Sequence, residues 1–421
     1  MKRFFSSLLL CALCLSLLGS CAAPSAATEL SAQQVEVSAQ DISQADQTAA
    51  CAALSSFGLD LLKHVRQAGE STLISPLSTS TALAMAANGA SGDTLKEFQQ
   101  VLGGGLPLDT INGVFASLME TYSAQLGGST QCSIANSLWV DPEGQVREDF
   151  IGKCQGIFDA QLFQGDLSAP GIVGDLNDWV SKQTDEMIPR IISEPFPKNT
   201  AALLVNALYL KNTWANEFDP QDTCPRDFAY LEGSIERLDY LNHFSQSLPY
   251  LSGETWEGAL FPYDDGRLAF FALTPRRYPG ASDFDTLLAE LDGTQLSQLI
   301  ASGKTEQFLC LSLPKFEQEW RGELQDVMPG MGLECAFDPD TADFSLLGDS
   351  PYGYYLSQVI HAAKIEVNEK GTEAAAATVA VAESGSSAPL KDGITLIFDQ
   401  PFLYGIVDLE HALPLFLGTF E

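Results

Sequence analysis

Between two runs that read as β-strands lies a segment too long for a turn and too regular for a simple connection. Ile365-Glu366-Val367-Asn368 alternates apolar and polar side chains with a period of two, and a second strand-like cluster runs from Ile394 to Phe398. From Glu369 to Ala382 the chain reads Glu-Lys-Gly-Thr-Glu-Ala-Ala-Ala-Ala-Thr-Val-Ala-Val-Ala. Successive side chains of a strand face opposite sides. One face would therefore carry Thr372, Ala374, Ala376, Thr378, Ala380 and Ala382, all small, while Glu373, Val379, Val381 and Glu383 point the other way. Such a segment can stay a loop or enter a packed sheet with nothing bulky directed inward. Propensity alone would equally suit an Ala-rich linker or a short helix, so the rest of the chain has to decide.

The start of the chain is an address, not part of the fold. Met1-Lys2-Arg3 precedes an apolar run from Phe4 to Leu18, too short to span a bilayer and typical of a signal peptide over residues 1–20. Leu18-Gly19-Ser20-Cys21 resembles a bacterial lipobox, which would make Cys21 the acylated first residue of the mature protein; an ordinary cleavage site beside a stray cysteine is the alternative. Cys11 and Cys14 have CxxC spacing but lie inside the apolar run, so they carry no redox meaning. Residues 21–48, rich in Ala, Ser and Gln, read as a flexible tether holding the body off a membrane.

The remaining body, 49–421, is long enough for one large domain with a substantial core, since 45% of the chain is hydrophobic. With Lys2 and Arg3 removed, 20 basic side chains face 55 acidic ones, a net charge near −35. A surface of that sign repels nucleic acid and heparin-like polyanions, which excludes both as partners. Six cysteines stay in the body, at 51, 132, 154, 224, 310 and 335, without metal-ligand spacing; disulfide pairing and buried thiols both remain open.

Several stretches along the body resemble the serpin family. Leu54, Phe57, Leu61, Leu62 and Val65 fall on one helix face. Leu73-Ile74-Ser75-Pro76-Leu77-Ser78 leads into Thr81-Ala82-Leu83-Ala84-Met85, with Ser75 suited to cap the helix and Pro76 to its first position. Leu176-Asn177-Asp178-Trp179-Val180, with Thr184 and Ile188, is similar to the family helix that lies across a central sheet, and Trp179 there reads as packing. Leu203 to Leu210 is an apolar strand interrupted by one amide, Asn206, which would need partners if buried. Val359-Ile360-His361-Ala362-Ala363, Lys211-Asn212-Thr213-Trp214 and Leu309 to Phe316 continue the likeness. So do Gly332-Leu333, Ala336-Phe337-Asp338-Pro339, Ala342-Asp343-Phe344-Ser345, Gln400 to Tyr404 and Leu415 to Gly418. The matches run from residue 54 to 418 in family order.

The resemblance implies an α+β serpin fold: a large central mixed sheet, two smaller sheets, surrounding helices and an exposed reactive-centre loop over about 369–393. It implies a polar cluster under the sheet, the shutter, from Ser75, Ser78, Asn206 and His361, although a lone histidine would by itself suit a satisfied core position. At the top of the sheet, the breach, it implies Trp214 and a Lys315–Glu369 pair. The hinge that would insert comprises Glu369, Gly371, Thr372, Glu373, Ala374, Ala375, Ala376, Ala377 and Thr378. Counting from Glu369 as the family does puts the reactive bond between Gly385 and Ser386. The C-terminal side is lengthened, however, and anchoring from Phe402 shifts the cut toward Ser387 or Leu390. Ser384, Ser387 and Ala388 are the alternatives, all small, which suits an elastase-like or subtilisin-like target; Lys391 would suit a trypsin-like one but lies too far along. The implied activity is inhibition of a serine protease by suicide trapping, by a monomer with no cofactor and no metal. A non-inhibitory serpin acting as a surface lipoprotein is the alternative.

Enzyme motifs do not compete. Gly303-Lys304-Thr305 imitates the end of a phosphate-binding loop, but its first glycine would fall on Gln298. The four histidines, 64, 243, 361 and 411, come with no Gly-x-Ser-x-Gly elbow.

Overall fold

The run Pro76–Ala87 is small or apolar all round, and a helix with no polar stripe must be enclosed on every side. In the computed structural model, which describes residues 25–35, 42–123, 126–278, 282–303, 306–351, 353–372 and 394–421, every residue of this helix, α2, is buried. Ser75 caps it by accepting from the Ser78 amide, and Pro76 takes the first turn, where no amide hydrogen is required. The other helices are α1 (Gln44–Val65), α3 (Gly92–Gly103), α4 (Leu108–Ser123), α5 (Glu148–Phe158), α6 (Gly171–Gln183), α7 (Phe284–Glu290) and α8 (Gly293–Ser302). The α1 face expected from the sequence holds: Leu54, Phe57, Leu61 and Leu62 are buried.

The sheet that will carry the site is mixed and seven-stranded. Across its width run β1 (Ala27–Leu30), β5 (Gln161–Gly165), β3 (Gln131–Val140), β6 (Ala202–Thr213), β15 (Gly371–Thr372), β14 (Leu356–Val367) and β12 (Phe316–Glu323). β5 is parallel to β3, and β6 is parallel to β14; the other neighbours are antiparallel. Both faces of this sheet are covered, so its central strands are apolar on both faces over much of their length. On one face Leu204, Leu208, Val359, Ala363 and Ile365 join the main core, which includes α2. On the other, Leu203, Val205, Ala207, Ile360 and Ala362 pack under Leu176, Trp179 and Val180 of α6.

The second sheet orders β16 (Ile394–Ile397), β11 (Glu306–Pro314), β8 (Ile235–Ser252), β9 (Trp256–Pro262), β10 (Leu268–Pro275), β17 (Phe402–Asp408), β18 (Leu413–Phe420) and β2 (Thr72–Ile74), with β7 (Cys224–Ala229) beside β8. The sequence suggests two smaller sheets, but the long β8 pairs with β11 and β7 through one part and with β9 through its end, so the two are continuous. β4 (Gln145–Val146) and β13 (Gly348–Asp349) form a separate pair.

The tether expected over 21–48 is shorter than its composition suggests. Ala27–Leu30 is an edge strand on β5, and Gln44 already opens α1 behind its cap Ser43. Backbone hydrogen bonds to an open sheet edge hold a segment that has too few large apolar side chains to order itself. The six body cysteines are free thiols. Burial pushes the Cys51 and Cys132 thiols up to about 12 and raises the Cys154 thiol well above its usual range.

Candidate functional site

β6 and β14 run side by side, in parallel, from Ala202 opposite Leu356 to Ala207 opposite Ala362. There their pairing stops, and at the far end β15 lies between them: Gly371 opposes Thr213, Thr372 opposes Asn212, and Thr372 also faces Val367. The central sheet is thus closed at one end and wedged open at the other by the first residues of the expected hinge.

A tight turn sets this wedge. The Asn368 side-chain oxygen accepts from the amides of Lys370 (2.9 Å) and Gly371 (3.3 Å), while the Asn368 backbone amide donates to the Gly371 carbonyl. Only glycine fits at 371, because a Cβ there would stand 2.0 Å from the Asn212 carbonyl oxygen and 2.8 Å from the Thr213 Cα. Thr372 is wholly buried and donates to the Tyr263 hydroxyl at 3.0 Å. Its side chain faces the main core, to which Tyr263 belongs.

The breach residues meet around this turn. Trp214 stacks on Tyr263 with ring centroids 4.9 Å apart; its indole nitrogen donates to the Asn368 carbonyl at 2.9 Å and its amide to the Lys370 carbonyl at 2.8 Å. Lys315 reaches Glu369 at 2.9 Å, and Thr223 donates to the same carboxylate at 3.0 Å. Burial pushes the Glu369 carboxyl up, but the hydrogen bonds from Lys315 and Thr223 outweigh it and hold the group below the usual range. The Lys315 side chain is about one-third exposed, so the pair guides position more than it stabilises.

Just before the β6–β14 pairing stops, the shutter residues form a single row. Asn136 of β3 lies opposite Asn206, and Asn206 lies opposite His361. The His361 ring donates from Nδ1 to the Asn206 Oδ1 at 2.9 Å and accepts at Nε2 from the Ser75 amide at 2.9 Å. Both nitrogens are therefore satisfied in the neutral form, and a proton on Nε2 would face an N–H donor. Burial carries the ring's pKa down to about 3. The Ser75 hydroxyl donates to the Leu415 carbonyl at 2.8 Å and accepts from the Ser78 amide. Several buried groups of this row have no partner among the described residues: Ser78 Oγ, Thr79 Oγ1, Asn206 Nδ2 and both amide atoms of Asn136. Buried polar groups are rarely left so.

The structure therefore joins Ser75, Asn206 and His361 directly, with Ser78 through its amide, and brings Trp214, Lys315, Glu369, Gly371 and Thr372 into one cluster. Glu373, Ala374, Ala375, Ala376, Ala377 and Thr378, the reactive-bond candidates Ser384, Gly385, Ser386, Ser387 and Ala388, and Cys21 lie outside the described residues. Sequence reasoning missed Asn136, although Ile134-Ala135-Asn136-Ser137-Leu138 shows the same lone amide in an apolar strand that singled out Asn206. It also missed Asn368 and Tyr263, whose roles depend on contacts between distant segments.

Comparison with known proteins agrees with this geometry. A family model described as serpin (serine protease inhibitor) matches residues 52–421. A serine protease inhibitor of Rattus norvegicus is 31% identical over 370 residues, covering 86% of each chain. An uncharacterized serpin-like protein of Thermococcus kodakarensis is 29% identical over 372 residues, 87% of this chain and 84% of its own. The solved native state of a thermophilic serpin, tengpin, superposes with a TM-score of 0.82 at 28% identity, covering 93% of this chain and 98% of that one. The chain belongs to the serpins, a family whose members are in general protease inhibitors rather than catalysts.

Proposed function

We propose that this serpin traps a serine protease by being cut once and never released. The observation that carries the reading is the register of β15. If the strand is extended beyond Thr372 in the register already set by Asn212, Thr378 falls opposite Asn206 and Ala382 opposite Ala202, the first residue of β6. The sequence supplies a segment that matches the full length of the strand beside it. Its inward positions would be Thr372, Ala374, Ala376, Thr378, Ala380 and Ala382. On the other face, Val379 and Val381 would stand beside Val205 and Leu203, under α6, while Glu373 and Glu383 fall at the two ends.

In this reading the target's serine attacks the carbonyl carbon of Gly385. The Gly385–Ser386 amide bond breaks, the serine proton passes through the target's own base to the leaving amine of Ser386, and an ester joins Gly385 to the protease. The freed hinge then adds its strand between β6 and β14. Ten or so new backbone hydrogen bonds at about 1 kcal/mol each supply on the order of 10 kcal/mol. Since about 1.4 kcal/mol changes a rate tenfold, a fraction of this spent on distorting the captured site stalls deacylation.

The small residues from Ser384 to Ala388 favour elastase-like or subtilisin-like targets. The inhibitor is exported and held at a membrane by a lipid on Cys21, as the apolar leader and the Leu-Gly-Ser-Cys sequence suggest, and it acts as a monomer. The test is incubation with elastase-like, subtilisin-like and trypsin-like proteases, followed by denaturing gels. A covalent adduct with one of them is expected. Loop cleavage by all three without an adduct would move the protein to the non-inhibitory serpins.

A further inference from the structure

We infer that the membrane-facing end of this molecule is the end of the central sheet opposite the hinge, fixed by the N-terminal segment 25–35; the inference rests on the lipid anchor proposed above. The sequence reads this region as a long leash, but residues 25–35 are held against the body. The Asp175 carboxylate on α6 accepts from the Ser25 hydroxyl (2.8 Å) and from the amides of Ala26 (2.6 Å) and Ala27 (3.2 Å). β1 then zips onto β5 from Ala27 opposite Gly165 to Leu30 opposite Leu162. Beyond it, the Ala32 amide donates to the Gln155 side chain, which donates back to the Leu30 carbonyl, and the Val35 amide donates to the Gly152 carbonyl at 2.9 Å.

The receiving surface is shaped for this strap. A Cβ on Gly165 would meet the Ala26 carbonyl oxygen at 2.3 Å, one on Gly152 the Gln33 carbonyl oxygen at 2.3 Å, and one on Gly156 the Val35 carbonyl oxygen at 2.1 Å. Three glycines at three successive contacts let the backbone lie flush.

Register places the strap's start. Ala27 opposes Gly165; the neighbouring Gln164 opposes Val140, and Val140 opposes Ala202. Ala202 is the first residue of β6 and Thr213, beside Gly371, is the last. At about 3.3 Å per residue the two ends lie roughly 36 Å apart. From Cys21 to Ser25 the chain can span at most about 14 Å. The lipid thus stands at the closed end of the sheet, and the hinge is presented away from the bilayer. A protease carried along the inserting strand toward Ala202 would finish against the membrane from which the hinge had stood away.

The test uses the full-length lipidated protein in phosphatidylcholine vesicles containing an acceptor-labelled lipid. A fluorescent donor is attached through an azido side chain replacing either Lys198, exposed just before β6, or Glu217, exposed just beyond it near the hinge. Energy transfer to the bilayer is expected to be severalfold higher from position 198; equal transfer, or higher transfer from 217, overturns the orientation. Cys21→Ser is run beside it. If that variant still floats with vesicles, the anchor reading fails, whereas wild-type flotation with equal transfer defeats only the orientation. Asp175→Ala combined with Gly156→Leu should release the strap, keep flotation and erase the difference between the two positions. A difference that survives in this variant, with an unchanged circular dichroism spectrum, means the strap does not set the orientation.

Discussion

Thr378 offers the sharpest way to break the register argument. In the intact molecule the sheet closes at this level by direct pairing of Asn206 with His361, so the residue is expected to add nothing to the stability of the uncut protein. After insertion it would occupy the row formed by Asn136, Asn206 and His361, under α2, where Asn206 Nδ2, Ser78 Oγ and the Asn136 amide lack partners. Thr378→Arg would bring a guanidinium into this enclosed row without an acid to pair it, at a cost of about 3 to 5 kcal/mol. If the insertion step feels that cost in full, it slows by roughly a hundredfold to a few thousandfold, and water releases the protease first. Thr378→Val keeps the volume and removes one hydroxyl, costing about 1 kcal/mol. The assay is the yield of covalent complex and the number of inhibitor molecules consumed per protease, with the melting temperature of each uncut protein as control. Glu373→Arg, one place past a seated residue and outward in the proposed register, should stay near wild type. Undiminished complex yield with Thr378→Arg, or equal damage from Glu373→Arg, would refute the register.

Other consequences can be checked directly. Because burial lowers His361 to about 3 in the fold against about 6.5 unfolded, the unfolded chain takes up the proton first as pH falls; stability is full above 6.5 and declines toward 3, by on the order of 5 kcal/mol for this group. His243, lowered to about 4 by burial, acts in the same direction, and urea melts between pH 7 and pH 4 should show His361→Gln flattening the slope. Gly371→Ala should expel β15 from its gap and lower the stability of the uncut protein by about 1 to 3 kcal/mol in urea unfolding, since the new Cβ meets backbone that cannot yield. Limited cleavage near Gly385 should raise the melting temperature by calorimetry; a cleaved form melting at or below the uncut one would show that the sheet gains nothing from the freed segment.

How much could be read in advance follows from where each signal resides. The Ser75-Pro76 start of α2 and the apolar run around Asn206 are local patterns with local causes, a helix cap and a doubly covered strand, and both stand where the sequence put them. The alternation of the hinge was legible because it is a property of any strand; Thr372 faces inward, and the positions beyond it lie outside the described residues. Asn136 went unnoticed because its meaning is its register opposite Asn206, which no local pattern contains. The strap was misread for a related reason: β1 and the residues after it are held by backbone hydrogen bonds and lie against glycines at 165, 152 and 156, more than a hundred residues away.

The far side of the reactive segment has its own consequence. A cut between Gly385 and Ser386 divides the molecule into two covalently separate pieces, and the smaller, 386–421, carries β16, β17 and β18. Every residue of β17 and β18 is buried, β17 lies against β10, and β18 lies against β2. This piece also supplies the Leu415 carbonyl that receives the Ser75 hydroxyl. The cleaved protein would therefore be a two-chain particle whose minor chain could not diffuse away without dismantling the core and releasing the cap of α2. In a native separation the cleaved protein should run as one species, and only denaturant should liberate the C-terminal peptide for mass spectrometry to weigh, its first residue marking the bond that was cut.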